Sequence, residues 1–536
     1  MFSTKKIKMK KHYISFFALF LFSASIWAQS IQVPPNINGT SQFPFTYLSD
    51  FIDADTSAAG EQLHDTYLLQ RGAVYFFTGQ AEWAFDVNLV AFGDESLGKP
   101  VVSRANASGG TALDPMYRGF GSFTWDGIYI IMGEEGAEAA QYETAPFRPE
   151  GDGKRFVFDN CTIEKSRQGT IRIEGDNTTT IITNSELRNF GDYERFQGNG
   201  RIVDTRDNFV DSVIISNCVM YNILDRVMIG FRQQGLNYFE YTNNTLFNHV
   251  GRHGLIQLKN TRESIIKDNI FMNPSMMGTA PFLANEQITY ANETNYLFSI
   301  DTLVEGASVE MSNNNLFWTD DVLNYYATFD SVAQPMILSP EFEAALATPA
   351  DAFFTEVLEL NNVPDRAPLI AYSREAILYK DSVGITDIMV EDISFAGTPF
   401  DNGYLFDFSQ FDPCYDPNAA SATAASDGGA LGVRYLCDYP VNATNSVYNP
   451  SLELRSAPNP AGDFTNLTFN LGQAGETNLT IFDMNGKVVS NLFNGRLSAG
   501  KHTFNWNNLN QVPSGMYFAN LQTEEGKMFI RVVVSK

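Results

Sequence analysis

The amino-acid sequence predicts an all-β chain in which a solenoid of stacked strand–turn–strand units is followed by a small antiparallel β-sandwich. Three observations predict this. Asparagine recurs in one fixed context along the middle of the chain. Residues 456–536 alternate apolar and polar positions between Gly-containing turns. The composition is rich in β-prone aromatics, with 13% Phe, Trp and Tyr, yet holds only 18% charged residues.

The asparagine context is clearest in FEYTNNTLFNH, residues 239–249. Phe239 and Tyr241 alternate with polar residues as in a half-buried strand, an Asn pair interrupts, and Leu246 and Phe247 resume at once. The same frame places Asn160 in FVFDNCTIE, Asn184 in TIITNSELRNF, Asn217 in VIISNCVMYNI, Asn269 in IIKDNIFMN and Asn313 in VEMSNNNLFW. Asparagine suits a sharp turn because it tolerates the left-handed conformation and hydrogen-bonds backbone. Stacked asparagines are expected to bond from coil to coil.

This pattern resembles the right-handed parallel β-helix of the pectate-lyase-like superfamily, most clearly over residues 155–320. Residues 29–154, with GAVYFF, FDVNLVAF, KPVVSRA and GIYIIMG, read as earlier, less regular coils. Residues 321–450 read as loop-rich final coils and a cap, which an open helix needs to cover its unpaired edge. Cys161 and Cys218 follow corner asparagines two repeats apart, about 10 Å at the strand spacing and beyond disulfide reach. Cys414 and Cys437 lie close enough in sequence to bridge.

Residues 1–28 read as an export signal. Lys5, Lys6, Lys8, Lys10 and Lys11 precede an apolar run, ISFFALFLF, that is too short to span a bilayer, and SASIWA offers cleavage near Ala28. No other apolar run is long enough for a transmembrane segment. The net charge of −26 argues against nucleic-acid and anionic-membrane partners, because the overall field repels polyanions. The cysteine and histidine spacing fits no zinc pattern.

The tail, residues 451–536 with its linker, contains Pro458, Asn459 and Pro460, a hairpin signal at Asn485-Gly486, and Gly515, Met516 and Tyr517 after a further turn. It resembles the C-terminal sorting domain of type IX secretion, found in Bacteroidota. That resemblance implies the type IX machinery as partner, and a final location in the medium or attached to the outer-membrane surface.

In a β-helix, outward residues line a long face. Strand alternation turns Ile171, Ile173, Val203, Thr205, Ile229, Phe231, Ile256 and Leu258 inward. One outward column then reads Glu174, Arg206, Arg232, Lys259, with Arg226, Arg252 and His253 at corners beside it. Such a column suits an acidic polysaccharide, since guanidinium groups pair uronate carboxylates bidentately. For β-elimination the base is Lys259 or, alternatively, His253, with Arg232 neutralising the carboxylate; Arg206, Arg226, Arg252 and Glu174 bind substrate. The basic pair is similar in kind to that of chondroitinase-B-like and alginate lyases, although here the Arg coil precedes the Lys coil and no matching cluster of calcium-binding acids stands beside it. Calcium is therefore an open cofactor without an assigned site. Two alternatives remain: a non-catalytic glycan-binding, adhesive or structural surface protein, and a polygalacturonase-like hydrolase, whose histidine motif Gly251-Arg252-His253-Gly254 resembles. Loop walls are expected from residues 191–200, with Tyr193 and Phe196, and from residues 281–300.

Overall fold

A computed structural model describes residues 30–35, 47–104, 115–132, 145–191, 200–278, 296–328, 334–374, 406–439 and 452–534, apart from single residues and short turns within these ranges (231, 252, 347, 438, 453, 460, 484–487, 508 and 524–525). The signal segment lies outside the described residues, as do 192–199 of the expected wall at 191–200 and 281–295 of the expected wall at 281–300; Tyr296–Ile300, expected as loop, is instead a strand of the nine-stranded parallel sheet.

Three parallel sheets run the length of the solenoid. Sheet 1 has ten strands, from Ser30–Val33 to Leu303–Ser312; sheet 2 has nine, from Ala81–Trp83 to Met336–Leu338; sheet 3 has ten, from Val74–Phe77 to Phe353–Phe354. Each strand pairs in parallel with its counterparts on adjacent coils, for example Ile214 with Ile181 before it and Glu240 after it. The coils therefore begin well before residue 155 and continue past 320. Aromatic rings fill the interior of the early coils. Trp125 packs edge-on against Phe147 at 5.2 Å, and Phe147 against Phe158 at 4.9 Å. The helix Leu48–Ala54 buries Leu48 and Ile52 near one end, and the helix Pro340–Ala345 buries Phe342 near the other.

The asparagine corners join sheet 1 to sheet 3. Asn160, Asn184, Asn217, Asn243 and Asn313 have φ between 50° and 56°. Asn217 Nδ2 donates to Asn184 Oδ1 at 2.7 Å, and Asn184 Nδ2 to Asp159 Oδ1 at 2.7 Å. One expected corner residue is corrected: the left-handed position of its coil is Asp268, at φ 63°. Asn269 instead points inward and aligns with Cys161, Ser185, Cys218, Asn244 and Asn314. There Asn269 Oδ1 accepts from the Asn244 amide at 2.8 Å, and Asn244 Oδ1 from the Cys218 amide at 2.9 Å. A second left-handed column, unread in the sequence, ends sheet 3 at Asn189, Asn222, Asn248 and Asn273. Its signal was an asparagine five positions after the first in NSELRN, NCVMYN and NNTLFN.

The outward side of sheet 3 is apolar, and the chain covers it. Tyr221 and Phe247 stack at 4.7 Å, and Phe411 stacks on Tyr221 at 5.0 Å. Arg188 donates to Glu164 at 2.6 Å and Glu186 at 2.8 Å beneath the Phe408 ring, 3.7 Å away. The covering strap, residues 406–437, is tied to the corners: Ser426 bonds Asp268 through its amide and hydroxyl, and the Arg434 amide donates to Asn217 Oδ1. A Cys414–Cys437 disulfide closes the strap, while Cys161 and Cys218 are buried free thiols.

The C-terminal domain packs a three-stranded sheet (Arg455–Ala457, Thr465–Leu471, Gly500–Trp506) against a four-stranded one (Gly475–Asp483, Val488–Leu497, Gly515–Thr523, Gly526–Val534), all antiparallel. Leu467, Phe469, Leu479, Ile481, Trp506 and Leu521 form its core. Asn485 and Gly486 lie outside the described residues, yet the strands on either side of them pair as a hairpin.

Two stability predictions follow from these corners. Asn217→Ala keeps the β-carbon but loses the polar side chain that eases the left-handed conformation, and it leaves the Arg434 amide without its acceptor, so it costs about 2–4 kcal/mol. Asn217→Gly keeps the turn and loses only the hydrogen bonds, about 1–2 kcal/mol, so urea unfolding should rank wild type above Gly above Ala. His249, at the end of sheet 3, is fully buried; its Nε2 donates to the Asp225 carbonyl at 2.6 Å and its Nδ1 accepts the Ser275 amide at 3.0 Å. Burial pulls its pKa down to about 4, against the opposing Asp225 carbonyl. The unfolded chain therefore binds the extra proton first. Stability is complete above the ordinary histidine pKa and falls by about 3 kcal/mol as pH drops from roughly 6.5 to 4. His249→Gln should flatten that part of the pH profile.

Candidate functional site

Sheet 2 is the charged face. Tyr117, Phe147, Ile171 and Ile173 enter the core, so alternation turns Arg118, Arg148 and Arg172 outward. The pairing register sets these arginines side by side on adjacent coils and continues the row to Asp204, Ile229, Gln257 and Ser299. Two residues further along, the same coils carry Glu150, Glu174, Arg206, Lys259 and Asp301.

One coil departs from the expected alternation. Met228, not Ile229, aligns with Ile256 and joins the core, so Ile229 faces outward beside Gln257. The expected column Glu174–Arg206–Arg232–Lys259 is therefore broken at its third member, because the strand of that coil ends at Ile229 and Arg232 is exposed in the turn that follows. Alternation alone cannot fix the frame of RVMIG, because apolar residues occupy both faces there.

The predicted site residues fall into two groups at opposite ends of the sheet 2 strands. At the trailing end, Arg206 Nη2 donates to Asp204 Oδ2 at 2.6 Å, and Lys259 Nζ lies 3.4 Å from Asp301 Oδ2. The Lys259 and Asp301 side chains are 31% and 33% exposed. Glu174 lies 3.9 Å from Arg148 Nη1; burial raises its carboxyl and Arg148 opposes that. At the leading end, Asp225 is buried, with His253 Nδ1 at 3.1 Å, Arg201 Nε at 3.4 Å and Arg226 Nε at 3.6 Å. Burial pushes its carboxyl up, but His253, Arg226 and Arg201 together hold it well below the usual carboxylate range. The Arg226 side chain is 3% exposed and donates to Gln257 Oε1. Arg252 lies outside the described residues.

His253 lies in the turn before the strand Ile256–Leu258 and Lys259 follows that strand, and each is engaged by a different acid, Asp225 and Asp301. Arg201, unsuspected from sequence, links the two ends. It donates to Asp225 and, at 3.2 Å, to Asp204 Oδ2. Asp204 is 1% exposed. Burial raises its carboxyl, with Arg201, Arg172 and Arg232 opposing, and its Oδ1 makes no hydrogen bond among the described residues. Among the described residues no group of three or more His, Cys, Asp or Glu converges as a metal site. Chemically, the leading end is a closed ion-pair corner. The trailing end is a partly exposed edge of cations beside an amine.

The chain is 24% identical over 288 residues to a probable pectate lyase C of Aspergillus flavus, an alignment covering 52% of this chain and 64% of the relative. It thus spans less than two thirds of that relative's length. No solved structure matches the chain significantly. Among the described residues no helix is long and apolar enough to cross a membrane. Residues 457–535 match the secretion system C-terminal sorting domain family. The tail is therefore a type IX sorting domain, and its cargo, sent to the cell surface or the medium, is a parallel β-helix similar to a pectate lyase.

Proposed function

We propose that the β-helix cleaves an acidic polysaccharide by β-elimination at the trailing edge of sheet 2. The observation that carries this reading is the set of cations Arg206, Arg232 and Lys259, on or beside adjacent coils and open to solvent, in a chain whose net charge is −26. Arg232 and Arg206 pair the uronate carboxylate and stabilise the negative charge that builds there as the neighbouring C–H bond breaks. Lys259 leaves Asp301, gives its ammonium proton to solvent and, as the neutral amine, takes the proton from that C–H bond. A carbon–carbon double bond forms as the glycosidic C–O bond breaks and its electron pair departs on the leaving oxygen. Glu174 offers a hydrogen-bond acceptor to sugar hydroxyls. His253 and Arg226 support the strand from the leading corner, where Asp225 holds both, and bear on substrate only through that support. The similarity to a probable pectate lyase agrees with this chemistry.

A binding role without catalysis has one observation in its favour: Lys259 is already engaged by Asp301. The hydrolase alternative would use Asp204 and Asp225 as its acid and base. Their side chains are only 1% and 2% exposed, and both are held by Arg201.

The full chain should generate the ultraviolet absorbance of an unsaturated uronate from one of polygalacturonate, alginate, chondroitin sulfate or ulvan, assayed with and without calcium. Lys259→Ala and Arg232→Ala should each cut the rate by roughly 10²–10⁴. His253→Ala should lower stability more than turnover. Retention on a glycan affinity gel with no product on any substrate would replace catalysis by binding.

A further inference from the structure

We propose that the strap over sheet 3 carries a binding site for a short neutral oligosaccharide, in the cleft between its two ends where Phe411, Tyr435 and Tyr439 meet Asp412, Asn361 and Arg434. The site lies away from sheet 2 and does not depend on the β-elimination reading. The cleft has a volume of about 710 Å³, within the range of small-ligand sites. Its walls are fixed before anything binds. The Cys414–Cys437 disulfide lines it and joins the two ends of the strap. Asp412 and Asn362 exchange backbone hydrogen bonds at 2.8 and 2.9 Å, and the Asn361 backbone amide donates to the Cys414 carbonyl at 2.8 Å. The Tyr415 amide donates to the Tyr439 hydroxyl at 3.1 Å, while the Tyr415 hydroxyl reaches the Ser421 and Leu431 carbonyls at 3.1 and 3.0 Å. A cleft held in this way loses little freedom when a ligand enters.

The lining selects the class of ligand. Phe411 stacks on Tyr221 at 5.0 Å and Tyr439 tilts against Tyr415 at 4.7 Å, and both stay half-buried at the cleft, as does Tyr435. Aromatic surface beside planar polar groups suits a pyranose, whose C–H faces are apolar and whose rim carries hydroxyls. Asp412 Oδ2 accepts from Asn361 Nδ2 at 3.0 Å and Oδ1 from the Cys414 amide at 3.0 Å, so each oxygen keeps capacity for a sugar hydroxyl. Arg434 donates from Nη1 and Nη2 to Asp427 at 2.6 and 2.9 Å and from Nε to the Ala430 carbonyl at 2.7 Å. Each η nitrogen retains a second N–H, but the positive charge is already met by Asp427. An anionic sugar would meet Asp412 without a cation to offset it, and a cationic ligand would meet Arg434. An uncharged polyhydroxyl ligand uses the acceptors of the one and the donors of the other.

The test is calorimetric titration of the full chain with cellobiose, laminaribiose, xylobiose, mannobiose, digalacturonate and choline, with unfolding midpoints measured alongside. At least one neutral disaccharide should bind, and digalacturonate and choline should not compete with it. Asp412→Asn should weaken that binding about tenfold or more, since it removes the charge from the acceptor of the sugar hydroxyls. Leu436 is 42% exposed and lines the cleft, so Leu436→Arg should obstruct the site and abolish binding while leaving the unfolding midpoint at the wild-type value. That second variant decides the matter if Asp412→Asn also lowers the midpoint. A wild-type chain that binds none of the four neutral disaccharides would overturn the site. Binding that both variants leave intact would overturn its location in the strap. Digalacturonate or choline bound as tightly as the best neutral sugar would overturn the class of ligand. None of these outcomes bears on the chemistry proposed for sheet 2.

Discussion

Parallel pairing of each coil with the next, at a strand spacing of about 4.8 Å, is the constraint on which the rest of this molecule depends. A coil cannot shift its register without moving three strands together, since all three sheets are paired along the solenoid. Every residue type that recurs once per coil therefore becomes a column. Apolar inward columns make a continuous core. Asparagine columns make ladders, because a left-handed corner leaves the side-chain amide aligned with its copy one coil away. Charged outward columns stack like with like unless the opposite sign stands beside them, as it does for Arg118, Arg148 and Arg172 next to Glu150 and Glu174.

That constraint explains what was legible in the sequence. The corners were, because a left-handed turn admits few residues and asparagine marks most of them; so were the free cysteines behind two corners, the bridging pair and the hairpin architecture of the tail. The exception at Asp268 has a physical cause. Aspartate also tolerates the left-handed region, so KDN offered two candidates, and only the inward hydrogen bonds of Asn269 decide between them. The slip at Met228 arose differently. Alternation identifies faces only when one of them is polar, and Ile229 is apolar, outward and fully buried. The Asp204–Arg201–Asp225 bridge was illegible for a third reason. It links side chains on two coils across a corner, and its geometry depends on how residues between Thr205 and Met228 return the chain to sheet 2.

The two ends of sheet 2 show how the same ingredients make different things. Both contain acids and cations. At the leading end the buried Asp225 meets the buried Arg226 and the partly buried Arg201 and His253, and its charge is met within the protein. Breaking such a buried set is costly because it leaves an uncompensated charge away from water, which is reason to read it as a structural corner. At the trailing end Arg206, with an 18% exposed side chain, leans on Asp204, and Lys259 on a partner as exposed as itself. Pairs of that kind are worth little on their own and exchange readily for a ligand carboxylate.

The three outward faces of the solenoid can be compared by what covers them. Sheet 3 presents Tyr221, Phe247 and Ile270, and the chain spends its own residues 406–437 on burying them, locking that cover with a disulfide and with bonds to the asparagine corners. Sheet 1 presents Ile181, Ile214, Glu240 and Ile265 in one row beside hydroxyl-bearing positions such as Thr183, Ser216 and Ser212, and its strands carry more acids than cations. Sheet 2 sets Arg118, Arg148 and Arg172 side by side on three successive coils. An acidic chain that bears its own anions elsewhere repels a polyanion everywhere except along such a band, so the global charge sharpens the local one.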